Sequence, residues 1–87
     1  MSSKREFSLD DAKAIGDKIG VDWNIIDIEQ FRLGIAVEME HGSQDPETNV
    51  TNGDEIMTGK ITWAHLKEIP DYYTRLIKME NDYESGN

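Results

Sequence analysis

The chain has 87 residues and no cysteine, and its eighteen Asp and Glu against nine Lys and Arg give a formal net charge of −9. A chain this short supports one domain with a modest core, burying about 60–65% of the surface its unfolded form exposes. Without cysteine there is no disulfide, thiolate metal site or cysteine nucleophile, and the acidic balance argues against direct contact with nucleic acid or with anionic membranes.

The N-terminal stretch MSSKREFSLDD has no apolar core of a signal peptide, and no apolar run is long enough to span a bilayer. These features predict a cytoplasmic protein, and the sequon Asn49-Val50-Thr51 carries little weight without secretion. Residues 1–6 read as a disordered tail, 7–84 as a single helical domain and 85–87 as a frayed end.

The pattern predicts an all-α fold, a compact bundle of four helices at about 8–19, 28–41, 55–68 and 72–83. Ser8 is placed to cap the first, with Asp11 at the position of a capping-box acid. Leu9, Ala12, Ile15 and Ile19 form its apolar stripe, and Gly20 is placed to end it. Gly16 is expected to let another backbone come close. Val21 to Ile26 reads as a connector with one helical turn around Trp23. Asp27 then caps the second helix, with Gln30 completing a capping box and Gly42 as the stop. Ile28, Phe31, Ile35 and Met39 share one face and Leu33 and Val37 another, so this helix should be central and contacted all round.

Residues 42–54, GSQDPETNVTNGD, form a long polar loop, a type of segment that tends to be functional or mobile. Its alternating Asp45, Glu47, Asn49 and Thr51 fail as a calcium loop, because Val50 stands where glycine is needed and Ile56 where the bidentate glutamate would be. In the third helix Met57, Ile61 and Ala64 set an inward stripe that His65 and Glu68 continue. Pro70 breaks that helix. Asp71 is placed to cap the fourth, in which Tyr72, Leu76, Met79 and Tyr83 repeat at helical spacing.

EMEHG, followed by NVTNGDEIMTGKITWAHLKEIPDYYTRL, resembles a family of short bacterial and phage proteins catalogued as a domain of unknown function. Its members carry ELEHG, then NVTND, then TGKIALAHLxExPDYYxRL. The likeness runs over roughly residues 7–77, and FSLDDAKAIGDKIGVDW resembles the family's first helix and connector. Glu38, Glu40, His41, Asn49, Thr51, His65, Glu68, Pro70, Tyr72 and Tyr73 stand at matching places. Trp63 and the Gly53-Asp54-Glu55 start of the third helix depart from the pattern. The resemblance implies a self-contained small domain, at times phage-associated, and no particular chemistry.

Two readings of function follow. In the first, the domain is a non-catalytic binding or accessory module that offers an acidic, partly aromatic surface to a protein partner with a basic surface. Trp63, Tyr72, Tyr73, Asp45, Glu47 and Asp54 are its candidate surface residues, and the chain acts as a monomer or weak homodimer. In the second, Glu38 and His41, three apart, join His65 and Glu68, three apart, in holding zinc, iron or manganese, with Glu40, Asp45 or Asp71 in reserve and redox or hydrolytic activity possible in principle. A tight antiparallel hairpin would put the two pairs at opposite ends of helices roughly 21 Å long, whereas a connector reaching roughly 36 Å could bring them together. Against both stands a structural latch, in which an imidazole and a carboxylate on the inward face bond each other or a tyrosine hydroxyl. No phosphate-cradling glycine loop, nucleophile elbow or zinc-protease motif is present.

Overall fold

A computed structural model describes residues 6–85, so the ends expected to be loose, 1–6 and 85–87, lie outside the described residues except for Glu6 and Ser85. Among the described residues four helices make the all-α bundle: α1 (Leu9–Ile19), α2 (Ile28–Gln44), α3 (Glu55–Glu68) and α4 (Tyr72–Ser85). Helix α2 is central and packs against each of the other three. Phe31, Ile35, Ala36, Val37 and Met39 along it are all buried, which is the two-sided apolar pattern read from the sequence.

The ends of the helices follow local chemistry closely. At α1 the Ser8 hydroxyl accepts from Asp11 N and the Asp11 carboxylate accepts from Ser8 N, at 3.0 and 3.1 Å, a complete capping box. Gly20 ends the helix with φ +92°, a left-handed conformation that a side chain would strain. A single turn at Asp22–Ile26 leads to α2, where Asp27 caps through Glu29 N. Gln30 does not complete a capping box. Its amide donates instead to the Thr74 hydroxyl on α4.

Gly42 is not the stop expected. The helix runs through it to Gln44, and Gly42 instead gives room to a neighbour, since it is buried and a Cβ there would stand 2.8 Å from the Thr51 hydroxyl oxygen. Gly16 likewise makes room for the Trp23 indole rather than for a backbone, with ring atoms 2.3 and 2.4 Å from the Cβ position. Trp23 is held there by its N–H donating to Asp17 and by an edge contact with Phe31 at 5.4 Å between ring centres.

In α3 the inward face differs from the one predicted. Thr58, Gly59, Thr62 and Leu66 are the buried residues, while Met57, Ala64 and Glu68 are exposed and Ile61 is half-buried. The threonines serve as small apolar residues because their hydroxyls are spent locally. Thr58 Oγ1 donates to the Asp54 carbonyl at 2.7 Å and Thr62 Oγ1 to the Thr58 carbonyl at 2.9 Å. Their methyl groups are left to pack. Helix α4 keeps Tyr73 wholly buried and Tyr72, Leu76 and Ile77 half-buried, but Met79 and Tyr83, expected on its inner stripe, face out.

Candidate functional site

The site is assembled where α3 crosses α2. At Gly34 a Cβ would stand 2.4 Å from the Tyr73 ring and 2.5 Å from the Thr62 methyl. The missing side chain is therefore what admits the Tyr73 ring between α2 and α3. Phe31 reaches Gly59 on one side of this crossing, and Glu38 reaches His65 on the other.

Three side chains from three helices meet there. The Tyr73 hydroxyl donates to Glu38 Oε2 at 2.7 Å. His65 Nδ1 lies 3.0 Å from the same hydroxyl oxygen and 3.1 Å from Glu38 Oε2. The one phenolic hydrogen goes to the carboxylate, so the phenol oxygen accepts from the histidine and Nδ1 carries a hydrogen. In the neutral ring this leaves Nε2 with the lone pair. Burial, then the hydrogen bond to Glu38, raise the Tyr73 phenol well above its ordinary range, so it remains a donor. The Tyr72 ring stacks on His65 with centres 4.4 Å apart and planes 12° from parallel.

The four residues considered for a metal are thus divided. Glu38 and His65 come together, His41 instead faces Glu80 on α4 with Nε2 3.6 Å from Oε2, and Glu68 is exposed. On a wheel of about 100° per residue, His65 lies about 60° from the inward-pointing Thr62 and Glu68 about 120° from it. Among the described residues no group of three or more His, Cys, Asp or Glu could hold a metal ion. Asp45 and Asp71 serve locally, Asp45 accepting from Glu47 N and Asp71 from the Arg75 guanidinium.

Of the surface candidates, Tyr73 belongs to the interior. Trp63 and Tyr72 are half-buried, with the Lys67 ammonium 4.4 Å from the Trp63 ring centre. Asp54 is occupied as the cap of α3, accepting from Ile56 N and Met57 N. Asp45 and Glu47 are exposed in the loop. Sequence reasoning missed Gly34 and Thr62, and it put Tyr73 on the surface. The Tyr72-Tyr73 pair directly after Pro70 signals that one ring packs inward, but not which.

Two open clefts lie along the C-terminal part of α2, near this partly buried triad. One, of about 490 Å³, lies between the ends of α2 and α4 and is lined by Glu40, His41, Gln44, Met79, Glu80, Tyr83 and Glu84. The other, of about 160 Å³, lies between the end of α2, the loop and α3, and includes Glu38 and Thr51. The loop that forms one wall is locally braced. Asp45 and Asn49 side chains accept from Glu47 N and Asn52 N, and Asn52 and Gly53 turn the chain with φ +52° and +80°.

The family described as "Protein of unknown function (DUF5661)" matches residues 12–82. No curated protein and no solved structure matches the chain.

Proposed function

The chain belongs to the DUF5661 family, a membership that brings no chemistry with it, and we propose that the domain is a non-catalytic binding module for a basic, partly apolar protein segment. The reading takes it as a cytoplasmic accessory protein of bacterial or phage origin, in keeping with the motif resemblance.

The observation that carries the proposal is the cleft between α2 and α4. Met79, 60% exposed, and Tyr83, 77% exposed, line it, at positions that helical spacing in the sequence assigns to an inner stripe. Glu40, Glu80 and Glu84 surround them. A flexible thioether and an aromatic ring suit an adaptable contact, and carboxylates around them favour a partner that brings Lys or Arg beside its own apolar residues. An amphipathic helix laid into this cleft would use both features. The net charge of −9 adds long-range attraction for such a partner.

The test is a synthetic helical peptide with Leu on one face and Lys on the other, followed by calorimetry at low and high salt. Binding should weaken as salt rises, and Met79→Ala with Tyr83→Ala should remove most of it. Absence of binding at low salt, or binding that both substitutions leave intact, would overturn the assignment.

A further inference from the structure

We propose that the smaller cleft beside the triad is a site for a primary alkylammonium group. The inference is separate from the peptide cleft, which lies between α2 and α4, whereas this one opens between α2, the loop and α3.

Its polar elements point to that chemistry. Thr51 is 95% buried, being 5% exposed, and lines the cleft. Its Oγ1 is a buried oxygen with no hydrogen-bond partner among the described residues. A polar atom held away from water and left unpaired is destabilising, so an outside donor that reached it would recover that loss. Glu38 supplies the charge. Tyr73 and His65 both contact its Oε2, so neither engages Oε1, and Glu38 lines the cleft.

Alternatives are less suited. No Lys or Arg lines the cleft, and its one imidazole, His41, turns Nε2 toward Glu80 on α4, so an anion finds no fixed counter-charge next to Glu38. A metal ion lacks ligands, since no group of three suitable side chains exists among the described residues. A guanidinium gains most from two carboxylate oxygens side by side, and here one is already engaged. An ammonium is a compact charge with three donors, enough for Glu38 and Thr51 together. Val50 and Ile61 give an apolar wall for a short alkyl stem. The cleft's 160 Å³ is close to the ~150 Å³ of a cavity that admits benzene, which limits the enclosed part to a handful of heavy atoms. A free small amine and the end of a lysine side chain share this chemistry.

The experiment is a titration of the intact protein with n-butylammonium chloride, following backbone amide shifts by NMR at constant ionic strength. Saturable shifts centred on Gly42, Thr51 and Ile61 are expected, with n-butanol much weaker. Thr51→Val removes the hydroxyl but keeps the shape, so it should fold and should weaken binding roughly tenfold. Glu38→Gln keeps an acceptor for Tyr73 while removing the charge, and should weaken binding at least as much. A short lysine-containing peptide run in parallel separates the two sources: tighter binding than n-butylammonium assigns a partner's lysine, and weaker binding a free amine. Absence of saturation, equal response to n-butanol, or an unchanged response in Thr51→Val would each overturn the site.

Discussion

The Tyr73 hydroxyl and the Glu38 carboxylate, 35 positions apart in the chain, meet across 2.7 Å, and this one bond ties α4 to the middle of α2. His65 joins from α3 at 3.0 Å from the phenol oxygen. The arrangement is a polar latch of three helices, built around a ring with no exposed surface. Tyr73→Phe keeps the packing and deletes the hydroxyl, so it should cost about 1–3 kcal/mol, as for other bonds to a charged group. Chemical denaturation measures this directly. Combined with Glu38→Ala, which removes the acceptor, in a double-mutant cycle, the two changes should couple by about 0.5–3 kcal/mol. Additive effects would show that the bond contributes nothing to stability.

Gly34 is the seat of that ring, and its substitution tests packing apart from hydrogen bonding. Alanine at an ordinary helix position is worth up to about 1 kcal/mol over glycine. Here its Cβ would fall 2.4 Å from Tyr73 and 2.5 Å from Thr62. Overpacking of this kind costs about 1–3 kcal/mol or more, and the ring has neighbours on every side. Gly34→Ala should therefore be destabilising by about 2 kcal/mol in net, with loss of the near-ultraviolet tyrosine signal before loss of helix. A more stable Gly34→Ala protein would show that Tyr73 can move aside.

Much of the fold was legible because helix ends and apolar spacing are local properties. Ser8, Asp11 and Gly20 mark α1 in the sequence and act as marked. The central place of α2 likewise follows from apolar residues on two faces. The inner face of α3 was not legible, because it is made from Thr58, Gly59 and Thr62. Nothing in a residue's type says that a hydroxyl will bond the carbonyl one turn earlier and leave a methyl for the core. The wheel drawn through Met57, Ile61 and Ala64 was therefore turned the wrong way, and it carried Glu68 inward with it. His65 was found in spite of this, since it flanks both faces. Its carboxylate partner came from α2, a tertiary choice that spacing within one helix cannot reveal. Gly42 and Gly16 misled for the same reason. A glycine that ends a helix and one that admits a neighbour look alike until the neighbour is known.

Alkaline stability should report the latch as well. Burial and the Glu38 bond raise the folded-state affinity of the Tyr73 phenol for its proton. The unfolded chain releases that proton near the ordinary tyrosine value of about 10, while the folded chain retains it. The stabilisation from this group is thus complete below about pH 10 and is lost as pH rises beyond it toward the folded value, by up to about 1.4 kcal/mol per pH unit. Tyr73→Phe removes this dependence. Its denaturation midpoint should fall less steeply above pH 10 than that of the parent. Parallel curves for the two proteins would contradict a raised phenol in the folded state.

At the other end of the pH scale, Asp17 is the group to follow. The Lys13 ammonium, donating at 2.7 Å, and then the Trp23 indole, donating at 2.8 Å, hold its carboxyl below the usual carboxylate value. A lowered folded value means that its contribution is present above the unfolded pKa and fades as pH falls through the folded one. Asp17→Asn should flatten the acid limb of the stability profile slightly, while the amide oxygen still accepts from Trp23. The fluorescence of Trp23 in the native state should therefore change little. A large red shift in Asp17→Asn would mean that the charge, rather than the hydrogen bond, keeps the indole over Gly16.

Zinc provides the remaining check, because it separates a latch from a ligand set. Structural zinc sites use four protein ligands and catalytic ones three, whereas the structure joins Glu38 with His65 and leaves His41 opposite Glu80. A two-residue site offers little binding energy, and occupying Nδ1 would displace the hydrogen that His65 shares with the phenol. Thermal unfolding should accordingly be indifferent to added zinc and to chelator, for a ligand that bound only the folded form would raise the midpoint with concentration. Stoichiometric uptake by untagged protein, with a raised midpoint that His65→Ala abolishes, would mean that α2 and α3 rearrange around a metal and that the pairing of Tyr73 with Glu38 is one of two states.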